Sequence, residues 1–191
     1  DPARFQGLED LEKLPVLNRD VVKHRRDELI AHGAKGALTE GHTSGTSGSP
    51  ITVFYDADTV AMNYAVMDRQ YRWAGLRLEA GGDRVAVLRG NVIVPLERKR
   101  PPYWRRNRAL NQLICSSFHL SPENLGEYLA ALREFGPAVL DGYPSSLYVM
   151  AKLLLNRGER MPLKAAITSS ETLYDFQREA IEAAFECRGF D

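Results

Sequence analysis

The sequence of 191 residues has no excess charge of either sign, since 25 lysines and arginines balance 25 aspartates and glutamates. This balance gives no general support for a nucleic acid or an acidic membrane surface as a partner, because both attract positive charge. The apolar runs, such as YVMAKLLL, fall well short of the ~20 residues that span a bilayer. The charged start, DPARFQGLEDLEK, contains no apolar signal segment. We therefore expect a cytoplasmic chain with neither nucleic-acid nor membrane partners.

Cysteine is also scarce. The only two cysteines, Cys115 and Cys187, lie far apart and lack the CxxC or Cys/His spacing of a metal site. This pattern is typical of buried, reduced thiols in a cytosolic protein. The apolar content of 44% and charged content of 26% are ordinary globular values, so we expect a packed core.

Strand and helix patterns alternate from residue 81 onward, joined by short connections. The predicted strands lie in residues 81–90, 109–118, 137–143 and 163–171, and the predicted helices in 121–136, 144–158 and 173–186. Ser121 is the predicted N-cap of the first of these helices, with Pro122 at its first position and Gly136 past its end. Phe176 and Phe185 are placed on one face of the last helix, together with Leu173 and Ile181. The alternation predicts an α/β fold with a mostly parallel sheet flanked by helices.

The first part of the chain reads differently. Residues 19–32 have helical spacing, residues 51–55 (ITVFY) form a predicted strand, and a long amphipathic helix follows from Asp58, with Asp58 or Thr59 near its N-cap. We predict two regions. Residues 1–80 hold a lead-in, a loop and the long helix, and residues 81–191 hold the alternating, ligand-binding part.

The stretch GHTSGTSGSP (41–50) is rich in glycine, serine and threonine and lies before the predicted strand at 51–55. It lacks the lysine of a Walker A loop, and no serine has the flanking glycines of a nucleophile elbow. Two interpretations remain equally favoured by the residues alone. One is a flexible linker, and the other is a nest of backbone N–H groups and hydroxyls that binds phosphate oxygens.

Within this stretch, TSGTSGSP (Thr43–Pro50) resembles the phosphate-binding loop of the adenylate-forming superfamily, which includes acyl- and aryl-CoA ligases. LEKLPVLNRDVVKHRRDEL, GYPSSL and TSSETLYDFQREAIEAAFECRGFD resemble segments of one branch, the phenylacetate–coenzyme A ligases and related capsular-polysaccharide-biosynthesis proteins. The chain departs from the superfamily at Ile51, where a lysine is usual; the branch often lacks that lysine.

The resemblance implies ATP-dependent conversion of an organic carboxylate to an acyl-adenylate, followed by transfer to a thiol such as coenzyme A. It implies triphosphate binding by the loop and contact with adenine by a second turn. The loop residues are Thr43, Ser44, Gly45, Thr46, Ser47 and Gly48, with Thr46 the foremost; the turn residues are Ser169, Ser170 and Glu171. It further implies that the acyl pocket includes His119, Tyr143 and Pro144. The Mg²⁺ ligand and the catalytic lysine are expected beyond Asp191, so no catalytic residue is assigned within this chain, and the fragment alone is expected to be inactive.

Several alternatives stay open. The acceptor is either coenzyme A or, as in a polysaccharide-biosynthesis relative, another group; a nucleotide-binding module without catalysis is the third possibility. His42 is either a phosphate contact or an exposed imidazole, and Glu171 is either an adenine contact or a solvated residue next to Thr172 as helix N-cap. The basic stretch at 97–108 is a solvated loop, a subunit contact in a homodimer, an anion site or a nucleic-acid site.

Overall fold

A computed structural model of the protein describes residues 6–34, 36–42, 51–77 and 82–191. The chain divides into two units, Asp1–Met62 and Asn63–Asp191. The boundary predicted between residues 80 and 81 was drawn where the predicted role of the chain changes. It stays a prediction.

The first unit contains short helices and a β-hairpin. A 3-10 helix covers Leu8–Lys13, helix α1 covers Arg19–His24, and a second 3-10 helix covers Arg26–Leu29. The helix predicted over 19–32 is therefore interrupted, because the chain leaves the α-helical conformation at Arg25. Strand β1 (Thr39–His42) pairs antiparallel with β2 (Thr52–Tyr55). Strand β2 was predicted from the sequence. Strand β1 was not, because its sequence, TEGH, shows no apolar alternation.

Helix α2 covers Ala57–Trp73 and continues from the first unit into the second. Its N-cap is Asp56, whose Oδ1 accepts a hydrogen bond from the N–H of Thr59 at 2.8 Å. Asp58 and Thr59, predicted to lie near the N-cap, follow it by two and three residues, and Asp58 lies in the first turn, where a carboxylate faces the positive end of the helix dipole.

The second unit is built on a six-stranded sheet, which confirms the predicted α/β fold with a mostly parallel sheet. The strands are β3 (Val85–Arg89), β4 (Trp104–Asn107), β5 (Gln112–Ser116), β6 (Val139–Gly142), β7 (Ala165–Thr168) and β8 (Arg188–Phe190), in the order β4-β5-β3-β6-β7-β8. All neighbouring pairs are parallel except β4 and β5. The prediction missed β4, because its sequence, WRRN, is charged; charge on an edge strand opposes pairing with another chain.

Three helices follow the strands: α3 (Leu125–Phe135), α4 (Pro144–Asn156) and α5 (Asp175–Phe185). The predicted start of α3 was three residues early. Ser121 Oγ accepts a hydrogen bond from the N–H of Asn124 at 3.3 Å, so Ser121 stabilises a turn that precedes the helix. The predicted stop is confirmed: Gly136 adopts a left-handed φ of 61°. No helix in the described part of the chain is long and apolar enough to cross a membrane.

The two faces of the sheet are covered by different helices, because side chains alternate along each strand. Ala86, Leu88 and Leu140 belong to the larger core with α3, α4 and α5. Val85 and Val139 belong to a second core with Tyr71 near the end of α2. Val85 and Val139 therefore lie on the face of the sheet that α2 covers, and Ala86, Leu88 and Leu140 lie on the opposite face.

The predicted apolar face of α5 is only partly correct. Ile181 and Phe185 are buried, but Phe176 is 55% exposed, and its ring stacks on Tyr174 and meets Tyr148 edge-on. Helical spacing places Phe176 next to the buried stripe, but its ring stays more than half exposed.

Both cysteines are free, Cys115 buried and Cys187 half-buried. Burial raises the pKa of the Cys115 thiol from 9.0 to about 12. Because this folded-state pKa is raised, the stability linked to the thiol is fully present below pH 9 and is lost as the pH rises, since the unfolded chain releases the proton first.

We expect the free energy of unfolding to fall by about 1.4 kcal/mol between pH 8 and pH 10 through Cys115 alone. Urea unfolding of the parent and of Cys115→Ala at both pH values measures this difference, because the variant lacks the titrating thiol. An equal pH dependence in the two proteins would show that the thiol does not titrate differently on folding.

Candidate functional site

The carboxyl ends of β3, β5, β6 and β7 lie along one edge of the sheet, since these strands are parallel. His119 follows β5, Tyr143 and Pro144 follow β6, and residues 169–171 follow β7. The strand-to-helix corners at DGYPSS and TSSET are thereby confirmed. In open parallel sheets this edge is where ligands bind.

The predicted phosphate-binding residues lie outside the described part of the chain; they are Thr43, Ser44, Gly45, Thr46, Ser47 and Gly48. The residues that flank them are described. His42 at the end of β1 is opposite Thr52 at the start of β2, and the Thr52 hydroxyl is 3.2 Å from His42 Nδ1. His42 and Thr52 are thus paired residues of two antiparallel strands, and the choice between a linker and a phosphate-binding nest for the segment between them stays a prediction.

His119 is a buried residue held by three neighbours. Its Nδ1 lies 2.9 Å from Ser116 Oγ, and its ring stacks on Tyr103 with the centroids 5.0 Å apart. Asn124 Nδ2 donates to the backbone carbonyl of His119 at 2.9 Å. His119 Nε2 is buried and has no hydrogen-bond partner among the described residues.

A cavity of about 200 Å³ lies between the segment after β5 and the start of α4. Its lining residues are Ser117, Phe118, Leu120, Ser145, Ser146 and Val149. They adjoin the predicted pocket residues His119, Tyr143 and Pro144 in sequence. Among the described residues, neither a hydrogen bond nor a ring contact joins His119 to Tyr143 or Pro144.

The two serines of GYPSSL were not assigned to the pocket in the sequence analysis, although they line it. Their position in the sequence could have indicated this role, because residues that follow a proline at the start of a helix present hydroxyls and N–H groups at the sheet edge.

The turn after β7 contacts the start of α4. Glu171 Oε2 accepts a hydrogen bond from the N–H of Ser145 at 3.0 Å, and a carboxylate is favourable at a helix N-terminus. Ser170 has a left-handed φ of 69°. Glu171 is thus more than a solvated side chain. Thr172 is not the N-cap of α5; the N-cap is Tyr174, whose N–H donates to Gln177 at 3.1 Å.

We expect Glu171→Ala to lower the free energy of unfolding by about 1 kcal/mol, because Ser145 loses a capping acceptor. Glu179→Ala, an exposed position within α5, is the matched control and should be nearly neutral. Chemical denaturation of both variants checks this; equal stabilities would show that solvent replaces the cap.

A buried cluster that the sequence analysis did not assign joins α2, β3 and β6. Arg89 donates from Nε at 2.9 Å and from Nη2 at 2.6 Å to Asp141 Oδ1, and the Tyr71 hydroxyl donates to Asp141 Oδ2. The Asp141 side chain is 3% exposed. The available signal was a lone aspartate inside the apolar strand AVLDG, because a buried carboxylate needs partners.

The electrostatics of this cluster keep both donors protonated. Burial, and then the charge of Asp141, raise the pKa of the Tyr71 hydroxyl. Burial alone would lower the pKa of the Arg89 guanidinium, but the adjacent Asp141 carboxylate outweighs it, so that pKa is raised. Arg89 therefore carries a fixed positive charge at the edge of the sheet where the parallel strands end.

The basic stretch at 97–108 is partly structural. Tyr103 and Trp104 pack against Tyr128, and the Arg106 guanidinium lies 5.4 Å from the centroid of Phe135. The aromatic rings that suggested base stacking are thus engaged in the protein. Arg98, Lys99 and Arg100 are exposed, and an anion contact or a homodimer contact through them stays a prediction.

Comparison with known proteins relates the chain to enzymes with this fold. No family model matches it. Protein CapK of Staphylococcus aureus is 31% identical over 180 residues, which are 93% of this chain and 39% of CapK. The structure of 2-hydroxyisobutyryl-CoA ligase in an open conformation, with 2-HIB-AMP and CoA, matches 99% of this chain with a TM-score of 0.54 at 16% identity. The same enzyme in its thioesterification state matches with a TM-score of 0.54 at 20% identity.

These relatives are longer than the chain. It spans 39% of CapK and 42% and 41% of the two ligase structures. At such identities the structural similarity establishes the fold, while the similarity to CapK runs through almost the whole sequence.

Proposed function

We propose that this chain belongs to the adenylate-forming superfamily, in the branch of phenylacetate–coenzyme A ligases and capsular-polysaccharide-biosynthesis proteins, and that its protein activates an organic carboxylate with ATP. The observation that carries this proposal is the shared sheet edge. The corners after β5, β6 and β7 lie there, and the first two border a cavity.

In the proposed reaction a carboxylate oxygen attacks the α-phosphorus of ATP, and the bond from that phosphorus to pyrophosphate breaks. The product is an acyl-adenylate. A thiol, in our proposal that of coenzyme A, then attacks the acyl carbon; AMP leaves, and the thiol proton passes to solvent. Neither step needs a protein nucleophile, so the protein acts through positioning and charge neutralisation.

Within this chain the proposed roles follow the predicted sites. Thr43–Gly48 would donate N–H and hydroxyl hydrogen bonds to the triphosphate, with Thr46 the foremost side chain. Residues 169–171 would contact adenine, and the 200 Å³ cavity would take the acyl group next to Tyr143. Since Ile51 replaces the usual lysine, backbone and hydroxyl donors would carry more of the phosphate binding here.

The resemblance also implies Mg²⁺. The described residues contain no group of three or more His, Cys, Asp or Glu side chains that could hold a metal ion. We therefore assign no metal ligand within these residues.

The acceptor has two candidates. The similarity to CapK supports a polysaccharide-biosynthesis relative with an acceptor other than coenzyme A, whereas the fold shared with 2-hydroxyisobutyryl-CoA ligase supports coenzyme A. A nucleotide-binding module without catalysis is the alternative of a different class.

Pyrophosphate exchange by the full-length protein across a panel of carboxylic acids tests the proposal. Acid-dependent exchange of label from pyrophosphate into ATP is the expected result, since adenylate formation is reversible. Binding of ATP without exchange would favour the non-catalytic module. Addition of coenzyme A to the exchanging protein then distinguishes the two acceptors, because only a CoA ligase releases AMP faster in its presence.

We expect Gly45→Val to weaken ATP binding at least about tenfold, because a branched side chain would block close approach of the backbone to phosphate oxygens. Met62→Ala, at a side chain of α2 that is 66% exposed and outside every assigned site, is the matched control and should bind ATP as the parent does. Calorimetric titration with ATP measures both. Unchanged affinity in Gly45→Val would contradict the loop assignment.

A further inference from the structure

We propose that Arg89 is an oxyanion-binding residue at the sheet edge, positioned by Asp141 and Tyr71. This inference rests on the proposed function, since it adds a binding residue to the same site. The oxyanion is either the reacting carboxylate of the acid or a phosphoryl oxygen of the nucleotide. No sequence motif assigned Arg89, and the cluster that holds it became visible only in the folded chain.

The first argument is the position of Arg89 in the sheet. β3 and β6 are parallel, with Val87 opposite Asp141. Because side chains alternate, Arg89 lies on the same face as Val85, the face covered by α2. As the last residue of β3, it stands where ligands bind in sheets of this kind.

The second argument is that the Arg89 guanidinium is held in place by Asp141 while some of its N–H donors remain unused among the described residues. A guanidinium has five N–H donors, and two of them go to a single oxygen of Asp141. Asp141 is the only hydrogen-bonding partner of that side chain among the residues that the structure describes. The remaining donors keep the planar geometry that suits a carboxylate or a phosphate.

The third argument is the uneven burial of the ion pair. The Asp141 side chain is 3% exposed, whereas the Arg89 side chain is 28% exposed. A purely structural pair has no need to leave its cation partly open. Here the carboxylate and the Tyr71 hydroxyl form the buried support, and the arginine reaches the opening.

The fourth argument is the neighbour at that opening. A Cβ at Gly90 would lie 3.1 Å from Cε2 of Tyr143, so the residue after Arg89 is in contact with the predicted acyl-pocket residue. Arg89 thus lies beside the proposed binding region.

The test uses two variants of the full-length protein. Arg89→Lys keeps the charge but loses the planar fork. The double variant Arg89→Met with Asp141→Asn removes the charge without leaving a buried carboxylate unpaired. Arg133→Met is the matched control, since Arg133 is 59% exposed and pairs with Glu159. Thermal unfolding of each protein shows that it is folded before ligands are added.

The probes are ATP and pyrophosphate in calorimetric titrations, together with the KM for the acid in pyrophosphate exchange. If the oxyanion is a phosphoryl oxygen, both variants bind ATP at least about tenfold more weakly and keep the KM for the acid. If it is the carboxylate, the KM for the acid rises by that factor and ATP affinity is retained. Either pattern supports the proposal, provided that Arg133→Met matches the parent.

Folded variants that match the parent in both measurements overturn the proposal. If the parent shows no exchange with any acid, the proposed function fails, and titration with ATP and pyrophosphate decides the Arg89 proposal by itself. Weaker binding in the variants then supports it. Unchanged binding, or no binding by the parent, overturns it.

Asp141 and Tyr71 are positioning residues in this proposal. Tyr71→Phe should raise the same constant as Arg89→Lys, either the dissociation constant for ATP or the KM for the acid, but by a smaller factor. It should leave kcat unchanged. A Tyr71→Phe variant that loses stability but keeps its ligand constants would contradict the positioning role of Tyr71.

Discussion

Gly142→Ala is expected to destabilise the protein by about 3 kcal/mol, as a severe case of overpacking. A Cβ at this position would lie 2.3 Å from the backbone carbonyl oxygen of Leu88 and 2.8 Å from Cδ2 of Leu147. The first contact is with backbone of the central strand β3, which cannot move aside without disturbing the sheet. Chemical denaturation followed by tryptophan fluorescence measures the loss.

Gly126→Ala is the control for this substitution. Gly126 lies in α3, and a Cβ there would meet nothing within 4 Å. Alanine restricts the unfolded chain and favours the helix, so we expect a gain of about 0.5 kcal/mol. Equal effects of the two substitutions would show that the approach between β6 and β3 relaxes at little cost.

Phe185→Ala is expected to destabilise the protein by about 3–5 kcal/mol. The ring is fully buried at the end of α5, in the core shared with α3 and α4, and its removal leaves a cavity in addition to the lost burial. Thermal and urea unfolding provide the measurement.

Phe176→Ala is its matched control, because it makes the same change in the same helix at a position that is 55% exposed. We expect a loss below about 1.5 kcal/mol, since the ring contacts only Tyr148 and Tyr174 among the aromatic residues described. A loss at Phe176 as large as that at Phe185 would contradict the burial pattern of α5.

The strand and helix order of the second unit could be predicted because each element carries its own local signal. Apolar runs indicated the four central parallel strands, and Gly136 indicated the end of α3. The predicted boundaries of helices were less accurate where one side chain can serve two structural roles. Ser121 can cap a helix or stabilise a turn, and only the position of Asn124 decides between them.

The candidate site likewise contains residues that could be predicted from the sequence and residues that could not. The corners that hold Tyr143 and Ser169 could be predicted, because turn residues follow apolar strands there. The Arg89 cluster could not, since Tyr71 and Asp141 are 70 residues apart and meet only when α2 covers that face of the sheet. The role of Glu171 at the N-terminus of α4 depends likewise on two neighbouring strand ends.

The sequence by itself determined the class of fold and the order of elements, since periodicity and turn residues are properties of neighbouring residues. The tertiary structure alone decided which residues meet. It paired β1 with β2, buried Asp141 beneath Arg89 and left Phe176 exposed. The physical reason is that burial and pairing depend on residues distant in the chain, and their positions are fixed only when strands and helices pack.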